Sequence, residues 1–254
     1  MSDDTAFLKK FNGLLKQHNL HLPYTEEELL RGILERLGEK KAPKFIGKGA
    51  YANVFWLQGN RKKVVKLTSD PMDAYASEII RRKPDHDSFV IVHDVFEIIP
   101  HKLFGIVNEK LTPLTEYEAE EWMSWEHILW EYHDFFQELR FKESKGLTLD
   151  FLERLEAAHE KEKEREEEER RKVEEEGEEW YGSEYPLPEW PSEDVMNKLE
   201  EWAWELEKRN IGCGDIRADN MMWRRRELVL SDFGNGTVPT QRLPKLHIQQ
   251  ELGF

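Results

Sequence analysis

Two short stretches near the end of the chain decide the fold, Cys213-Gly214-Asp215-Ile216-Arg217-Ala218-Asp219-Asn220 and Ser231-Asp232-Phe233-Gly234. Asp215 and Asn220 are five residues apart, and an apolar, β-branched run leads on to Asp232. One carboxylate can orient an attacking hydroxyl group, while an amide oxygen and a second carboxylate can hold a metal ion against phosphates. The spacing therefore predicts the chemistry of phosphoryl transfer from ATP.

The composition describes a chain that can bury a large core. Of 254 residues 39% are hydrophobic, and 13 Phe, nine Trp and seven Tyr supply bulky core side chains. The net charge of −15 argues against binding to nucleic acid or anionic membranes, which draws on excess lysine and arginine. A single cysteine, Cys213, permits no internal disulfide, and no stretch is apolar enough for a signal peptide or a membrane span. We therefore expect a cytoplasmic protein.

The first part of the chain, residues 5–40, is predicted to form two short helices. Apolar residues recur there at helical spacing. Thr25 and Glu28 form a capping box at the start of the second helix, and Gly38 ends it. We interpret residues 1–43 as a helical extension that packs on the main fold.

Residues 44–67 change to the pattern of strands, with a glycine turn between the first two of three. Gly47 and Gly49 would let the backbone approach phosphate oxygens because no Cβ blocks the way, and Val54 is placed to cover an adenine ring. Lys66 would be an unusual inward charge in a β-branched strand unless an anionic group meets it. A helix follows Asp70-Pro71, and its Glu78 has apolar neighbours, so we expect Glu78 to pair with Lys66.

Two further strands are predicted at residues 89–99 and 104–111, and the rest of the chain is predicted to be mostly helical. Thr115 and Glu118 cap a helix whose aromatic stripe we interpret as core packing, at Trp122, Trp125, Leu129, Tyr132, Phe136 and Leu139. Residues 150–180 are rich in Glu, Lys and Arg. Their i,i+4 pairs, such as Glu168 with Lys172, indicate a long solvated helix that Gly177 ends. A last helix, capped by Ser192, leads towards Asp215.

The order of these features resembles the protein kinase superfamily, from about Phe45 to Gly234. The resemblance implies an α+β, bilobal fold, with a β-rich N-lobe over residues 44–112 and a truncated, mostly helical C-lobe over residues 113–254. A charged helical insertion at about 141–190 would interrupt the C-lobe. ATP and Mg²⁺ (or Mn²⁺) are the cofactors that the resemblance implies.

The same resemblance implies a role for each motif residue. Asp215 takes the position of the catalytic base, and Arg217 would face the γ-phosphate. Lys66 would bind the α- and β-phosphates, with Glu78 as its partner. Asn220 and Asp232 take the two metal-binding positions. The other nucleotide contacts fall on Gly47, Gly49, Val54, Glu109 and Leu111, the last two through backbone groups near the adenine.

The sequence departs from this superfamily in several places. Ala52 replaces the third glycine of the phosphate loop, and Cys213-Gly214 replaces the His-Arg pair before the catalytic aspartate, so regulation through a phosphorylated activation loop is not expected. No Ala-Pro-Glu follows Gly234, so the helical platform for peptide substrates is expected to be absent. In this respect the chain is most similar to the minimal serine/threonine kinases of bacteriophages.

Three functions remain open at this stage. The first is an ATP-dependent protein kinase that phosphorylates a Ser or Thr hydroxyl on a protein partner with a basic surface. The second is a small-molecule phosphotransferase of the aminoglycoside or choline type, because Gly-Asp-x4-Asn also resembles that group. The third is a non-catalytic protein whose acidic helix binds or blocks a partner. The sequence gives no reason to expect contact with a membrane or direct binding of nucleic acid.

Overall fold

A computed structural model describes residues 3–84, 87–131, 147–177, 179–180, 189–212, 216–234, 238 and 242–246. The helices are α1 (Asp3–Gln17), α2 (Glu26–Leu37), α3 (Pro71–Arg82), α4 (Glu116–Glu120), α5 (Met123–Glu131), α6 (Leu149–Glu175) and α7 (Glu193–Lys208). The strands are β1 (Lys44–Lys48), β2 (Ala52–Trp56), β3 (Lys63–Thr68), β4 (Val92–Ile99), β5 (Leu103–Glu109), β6 (Thr112–Pro113), β7 (Met221–Arg224) and β8 (Glu227–Leu230). A 3₁₀ turn at Ala218–Asn220 precedes β7. The α+β class is confirmed.

The main sheet has five antiparallel strands in the order β1-β2-β3-β5-β4. The alternation of side chains along β3 and β5 assigns its two faces. Val65 and Leu67 lie in an outer core with residues of α1 and α2. Lys66 and its cross-strand partner Ile106 belong to the other face, where Ile106 joins the core that includes α3 and the helical half. The sheet therefore separates an outer helical layer from the side that carries Lys66.

The N-terminal helices α1 and α2 are a packed layer of this sheet, as predicted. Thr25 accepts a hydrogen bond from the Glu28 backbone, Glu28 caps Thr25 in return, and Gly38 ends α2 in the left-handed conformation at a φ of 64°. The outer core buries the apolar faces of both helices, through Phe7, Phe11, Leu14, Leu15, Leu29 and Ile33.

The helical half is built around stacked tryptophans. The rings of Trp122 and Trp202 stack at 5.5 Å between centroids, and Trp125 is fully buried in the same core. The single helix predicted from Thr115 is two, because α4 ends at Glu120 and α5 begins at Met123. The capping box of Thr115 and Glu118 is confirmed. Three stripe positions, Tyr132, Phe136 and Leu139, lie outside the described residues.

The charged helix α6 is confirmed, and Gly177 follows its end at a φ of 78°. Lys172 contacts Glu168 at 3.1 Å, one of the predicted i,i+4 pairs. One face of the first turns of α6 is not solvated, however, because Phe151, Leu152, Leu155 and His159 are buried. The His159 ring packs on Trp190 at 4.8 Å between centroids. Only the part of α6 beyond His159 therefore projects into solvent.

Two further connections join the halves of the chain. The second sheet has the order β6-β7-β8, and Leu230 of β8 donates to Ser88 O and accepts from Val90 N, at 2.9 and 3.0 Å. This bridge occupies the stretch where β4 was predicted to begin. Near the end of the chain, Leu246 donates to Glu97 O at 2.6 Å, which covers the edge strand β4. None of the described helices is long and apolar enough to cross a bilayer.

Candidate active site

Lys66 lies at the centre of the candidate site. Its Cα is paired with Val54 on β2, and Val54 is paired in turn with Gly47 on β1. Because cross-strand partners project from the same face, these three predicted nucleotide contacts share one face of the sheet. Lys66 is 8% exposed. A buried ammonium group is costly unless anionic groups compensate it, so its partners decide what the site can do.

Two carboxylates compensate the Lys66 ammonium. The Nζ atom of Lys66 lies 2.5 Å from Asp232 Oδ2 and 2.8 Å from Asp73 Oδ2. Asp232 belongs to the Asp-Phe-Gly segment, which follows Lys66 by 166 residues in sequence. The fold therefore brings together the strand lysine and the Asp-Phe-Gly aspartate, both of which the sequence assigned to one site.

The expected partnership of Lys66 with Glu78 is wrong. Asp73, in the first turn of α3, occupies that place. Glu78 contacts Arg81 Nε at 2.6 Å and Arg82 Nε at 2.8 Å instead. At about 100° per residue, positions 73 and 78 project about 140° apart around α3, so only one of them can face Lys66. Asp73 faces Lys66, and Glu78 is held by the arginines one turn further along its own helix.

The three charged groups shift one another's pKa. Burial alone would lower the pKa of Lys66, but the adjacent carboxylates of Asp73 and Asp232 raise it. Burial raises the pKa of Asp73, against the pull of the Lys66 ammonium and with the repulsion of Asp232. Burial would also raise the pKa of Asp232, but the Lys66 ammonium and the Gly234 amide lower it. Lys66 is therefore held as a cation and Asp232 as an anion at neutral pH.

Glu78 keeps its charge although its side chain is fully buried. Burial would raise the pKa of Glu78, yet hydrogen bonds from Arg81 and Arg82 outweigh it and lower that pKa. The side chains of Arg81 and Arg82 are 34% and 56% exposed, so the charged groups that pair with Glu78 reach solvent. The role of Glu78 in this structure is to fix the end of α3.

The glycine hairpin between β1 and β2 leaves open space at its glycines. Gly49 N donates to Ala52 O at 2.8 Å, which closes the turn. Among the described residues, a Cβ placed on Gly47 would meet no atom within 4 Å, and one on Gly49 would meet only Ala52 O at 3.9 Å. The described part of the chain therefore does not crowd the backbone on this side of the hairpin, and a phosphate group could approach it.

The strand end that was predicted to meet adenine is fixed by its neighbours. The Glu109 carboxylate accepts from Ile91 N at 2.9 Å and lies 3.4 Å from the Arg224 guanidinium. Glu109 N donates to Ile91 O at 2.9 Å. Leu111 is partly buried and packs on the core of the helical half. The Glu109 side chain thus anchors the strand, and any adenine contact of Glu109 would come from its backbone carbonyl.

The loop that carries the first motif is tied to α5. Trp125 Nε1 donates to Ile216 O at 3.0 Å, and Ala218 N donates to Glu126 Oε1 at 2.8 Å. From the sequence, Trp125 was expected only to pack in the core, and no role was predicted for Glu126. Asp215 lies outside the described residues, while Ile216 and Ala218, which flank Arg217, are both held by α5.

Asn220 and Asp232 lie on adjoining segments. Asn220 is 7% exposed. Its backbone carbonyl oxygen accepts hydrogen bonds from both the backbone N and the Oγ of Ser231 at 2.8 Å, one residue before Asp232. Phe233 anchors the second segment, since its buried ring packs edge-on against Phe89 at 5.6 Å. Arg217, in contrast, has a side chain that is 51% exposed and lies 3.4 Å from Asp219.

The donor set fits a hard divalent cation. Asp232 is held ionised, its side chain is 31% exposed, and the Asn220 amide could supply a second oxygen from the adjoining segment. Mg²⁺ typically takes one or two carboxylates from the protein and completes its shell with phosphate oxygens and water. Among the residues that the structure describes, no group of three or more His, Cys, Asp or Glu could hold a metal by itself. Asn220 and Asp232 therefore suit an ion that arrives with a phosphate ligand.

The role of Asp73 was not predicted from the sequence. The available signal was weak: an acidic residue in the first turn after an Asp-Pro helix start, where carboxylates are common for reasons of capping alone. Only the orientation of α3 against β3 distinguishes Asp73 from Glu78.

Comparison with known proteins gives partial matches to solved structures. No known protein family and no curated protein matches this sequence. The chain is similar to the apo form of a thermostable mutant of aminoglycoside phosphotransferase APH(4)-Ia, at 15% identity and a TM-score of 0.29, over 36% of this chain and 34% of that chain. A variant of that enzyme in ternary complex with AMP-PNP and hygromycin B gives 14% identity and a TM-score of 0.29, over 40% and 35% of the two chains. The matched region thus spans about a third of the length of these structures.

Proposed function

We propose that this chain is an ATP- and Mg²⁺-dependent phosphotransferase that transfers the γ-phosphate of ATP to a protein hydroxyl. The observation that carries the proposal is the contact between Lys66 Nζ and Asp232 Oδ2 at 2.5 Å. A buried cation beside an exposed edge of an ionised carboxylate is the arrangement needed to hold phosphate and metal together.

The described residues divide the work of binding. An ammonium group has three N–H donors. Lys66 donates one of them to Asp232 Oδ2 and forms an ion pair with Asp73 at 2.8 Å, so it keeps a donor for a phosphate oxygen. Asp232 and Asn220 would hold Mg²⁺, and the open glycine hairpin would cover the phosphates. When bound, ATP would supply the phosphoryl group, and Mg²⁺ would neutralise negative charge on the phosphates.

Asp215 is proposed to accept the proton of the attacking hydroxyl, on the strength of its place in the motif. Arg217, two residues later, has an exposed side chain that could meet the γ-phosphate. The anchoring of Ile216 and Ala218 to α5 supports this assignment, because it fixes the backbone on both sides of Arg217. Rigid placement of such groups is what a positional mechanism requires.

Labelled ATP tests this proposal directly. The purified chain is incubated with γ-labelled ATP and Mg²⁺, with a basic protein, with an aminoglycoside or with choline as acceptor. Transfer to protein is expected, and Asp232→Asn and Lys66→Met should each abolish it. Asp150→Asn is the matched control, since Asp150 is 57% exposed on α6 and pairs with Arg154 on the surface. Transfer to a small acceptor alone would overturn the choice of acceptor, and absence of both binding and transfer would overturn the phosphotransferase itself.

The projecting part of α6 is proposed to form part of the protein-substrate surface. Residues 161–177 carry nine glutamates against six lysines and arginines, so their attraction for a basic partner is modest and should weaken with salt. Replacing these residues by a Gly-Ser bridge spares the contact of His159 with Trp190. We expect nucleotide affinity to stay unchanged while transfer to a basic protein falls. Unchanged transfer would identify this segment as a spacer.

A further inference from the structure

The N-terminal helix α1 runs along the glycine hairpin from its base to its tip. At the base, Gln58 Nε2 donates to Asp3 Oδ2 at 3.1 Å. In the middle, the Phe7 and Phe55 rings pack at 4.8 Å between centroids. At the tip, the last residue of α1, Gln17, donates from Nε2 to Ala50 O at 2.6 Å. The helix therefore follows the hairpin over its whole length.

Two more contacts fix the part of the hairpin that leads into the turn. Asn53, 3% exposed on β2, donates from Nδ2 to Lys10 O at 3.0 Å. The ring of His18, just beyond α1, lies 5.8 Å from the ring of Tyr51 in the turn. Lys10 Nζ also lies over the Phe45 ring of β1 at 4.4 Å. Polar and aromatic contacts from one helix thus reach both strands and the turn.

These contacts add to two backbone hydrogen bonds that hold the turn, from Gly49 N to Ala52 O at 2.8 Å and from Ser69 N to Tyr51 O at 2.9 Å. A turn of glycine and small residues loses much conformational entropy when it is ordered, and a loop that covers phosphates must be ordered for binding. A contact that orders the turn beforehand removes part of that cost from the binding step. The contact of Gln17 with Ala50 O lies at the tip, where the strand ladder no longer constrains the chain.

We infer that α1 is a splint for the glycine hairpin and that Gln17 is a positioning residue for nucleotide binding. The inference rests on the proposed function for its link to ATP, but the ordering of the turn by Gln17 does not depend on any ligand. Gln17 acts through the backbone of Ala50 and is not itself placed against the nucleotide.

Gln17→Met tests the inference, because methionine keeps the length and helix propensity of glutamine and removes the donor. Asn12→Leu is the matched control: Asn12 lies on the same helix and donates to Glu26 Oε1 at 2.6 Å, away from the hairpin. Two quantities are measured for wild type and both variants, namely amide hydrogen exchange in a peptide spanning residues 46–55 without ligand, and the Kd for ADP with Mg²⁺ by calorimetry. Thermal unfolding is recorded alongside.

The expected result is faster exchange in the 46–55 peptide and a Kd about two- to tenfold higher for Gln17→Met, the range for one net hydrogen bond. Asn12→Leu should change neither quantity, even if it lowers Tm equally. Unchanged exchange in Gln17→Met, or equal changes in both variants, would overturn the splint. If exchange changes as expected but the wild type binds no nucleotide, the proposed function fails and the splint stands.

Discussion

Replacing either Asp73 or Glu78 with its neutral amide distinguishes the roles of these two α3 residues. Asp73→Asn replaces a carboxyl group 2.8 Å from Lys66 Nζ with a neutral amide, at a place where the two side chains are 3% and 10% exposed. Loss of one partner of a fully buried pair costs about 3–5 kcal/mol when the other charge is left alone. Lys66 keeps Asp232, so the loss is closer to the about 1.5–3 kcal/mol of one hydrogen bond to a charged group. If that loss falls on the placement of the ammonium, the rate should fall about tenfold to hundredfold.

Glu78→Gln should behave differently. Its two arginine partners are 34% and 56% exposed, so solvent screening reduces what the ion pairs contribute. We expect a loss of about 1–2 kcal/mol in stability, which shifts Tm by about 2–4 °C per kcal/mol in a chain of this size. The rate of phosphoryl transfer should remain near that of the wild type.

The assay is the initial rate of transfer from labelled ATP, together with Tm by calorimetry, for wild type, Asp73→Asn and Glu78→Gln. The reasoning requires a crossed result: Asp73→Asn loses rate, and Glu78→Gln loses stability. A Glu78→Gln variant that loses rate at unchanged Tm, beside an active Asp73→Asn, would show that Glu78 is the partner of Lys66 during turnover.

Three further predictions follow from contacts in and near the site. Folding lowers the pKa of Glu78, so ionised Glu78 stabilises the protein above its unfolded pKa of about 4.3. This stabilisation is lost as the pH falls through the folded pKa. The difference in unfolding free energy between wild type and Glu78→Gln, measured by urea titration, should therefore shrink between pH 7 and pH 3. Trp125→Phe removes the donor to Ile216 O, so it should lower the free energy of unfolding in urea by about 1–3 kcal/mol and also lower the transfer activity. A variant of normal stability and activity would contradict the proposed anchoring of the loop to α5. Gly105→Ala would drive a methyl group into the Phe96 ring and should cost about 1–3 kcal/mol by overpacking, and an unchanged Tm would contradict that close approach.

Local sequence signals predicted the elements of this fold well where one face of an element is buried. The strands of the main sheet follow from β-branched and aromatic runs, and Thr25, Thr115, Gly38 and Gly177 mark helix ends through capping chemistry that needs no tertiary partner. Such signals act within a few residues, so a single sequence contains them fully.

Contacts that depend on the orientation of one element against another were predicted less well. Both Asp73 and Glu78 lie on a predicted helix, and the sequence favoured Glu78 because its neighbours are apolar. The rotation of α3 about its axis, relative to β3, determines which of the two residues faces Lys66, and local sequence patterns do not encode that rotation. The same holds for α6, whose charged composition hides a buried first part, where Phe151 and Leu155 join the core.

The position of α1 shows why an apparent extension can belong to the site. From sequence, residues 1–43 have the amphipathic pattern of a packing element, and the structure confirms that they pack on the outer face of the sheet. The functional consequence comes from the register of that packing. About 1.5 Å of rise per residue makes α1 about 22 Å long, which is close to the length of the five-residue strands β1 and β2 with their turn. A helix of that length, held at the hairpin base by the contact of Asp3 with Gln58, brings its last residue to the hairpin tip. The contact of Gln17 with Ala50 O is thus a consequence of matched lengths, and a shorter α1 would leave the glycine turn without this support.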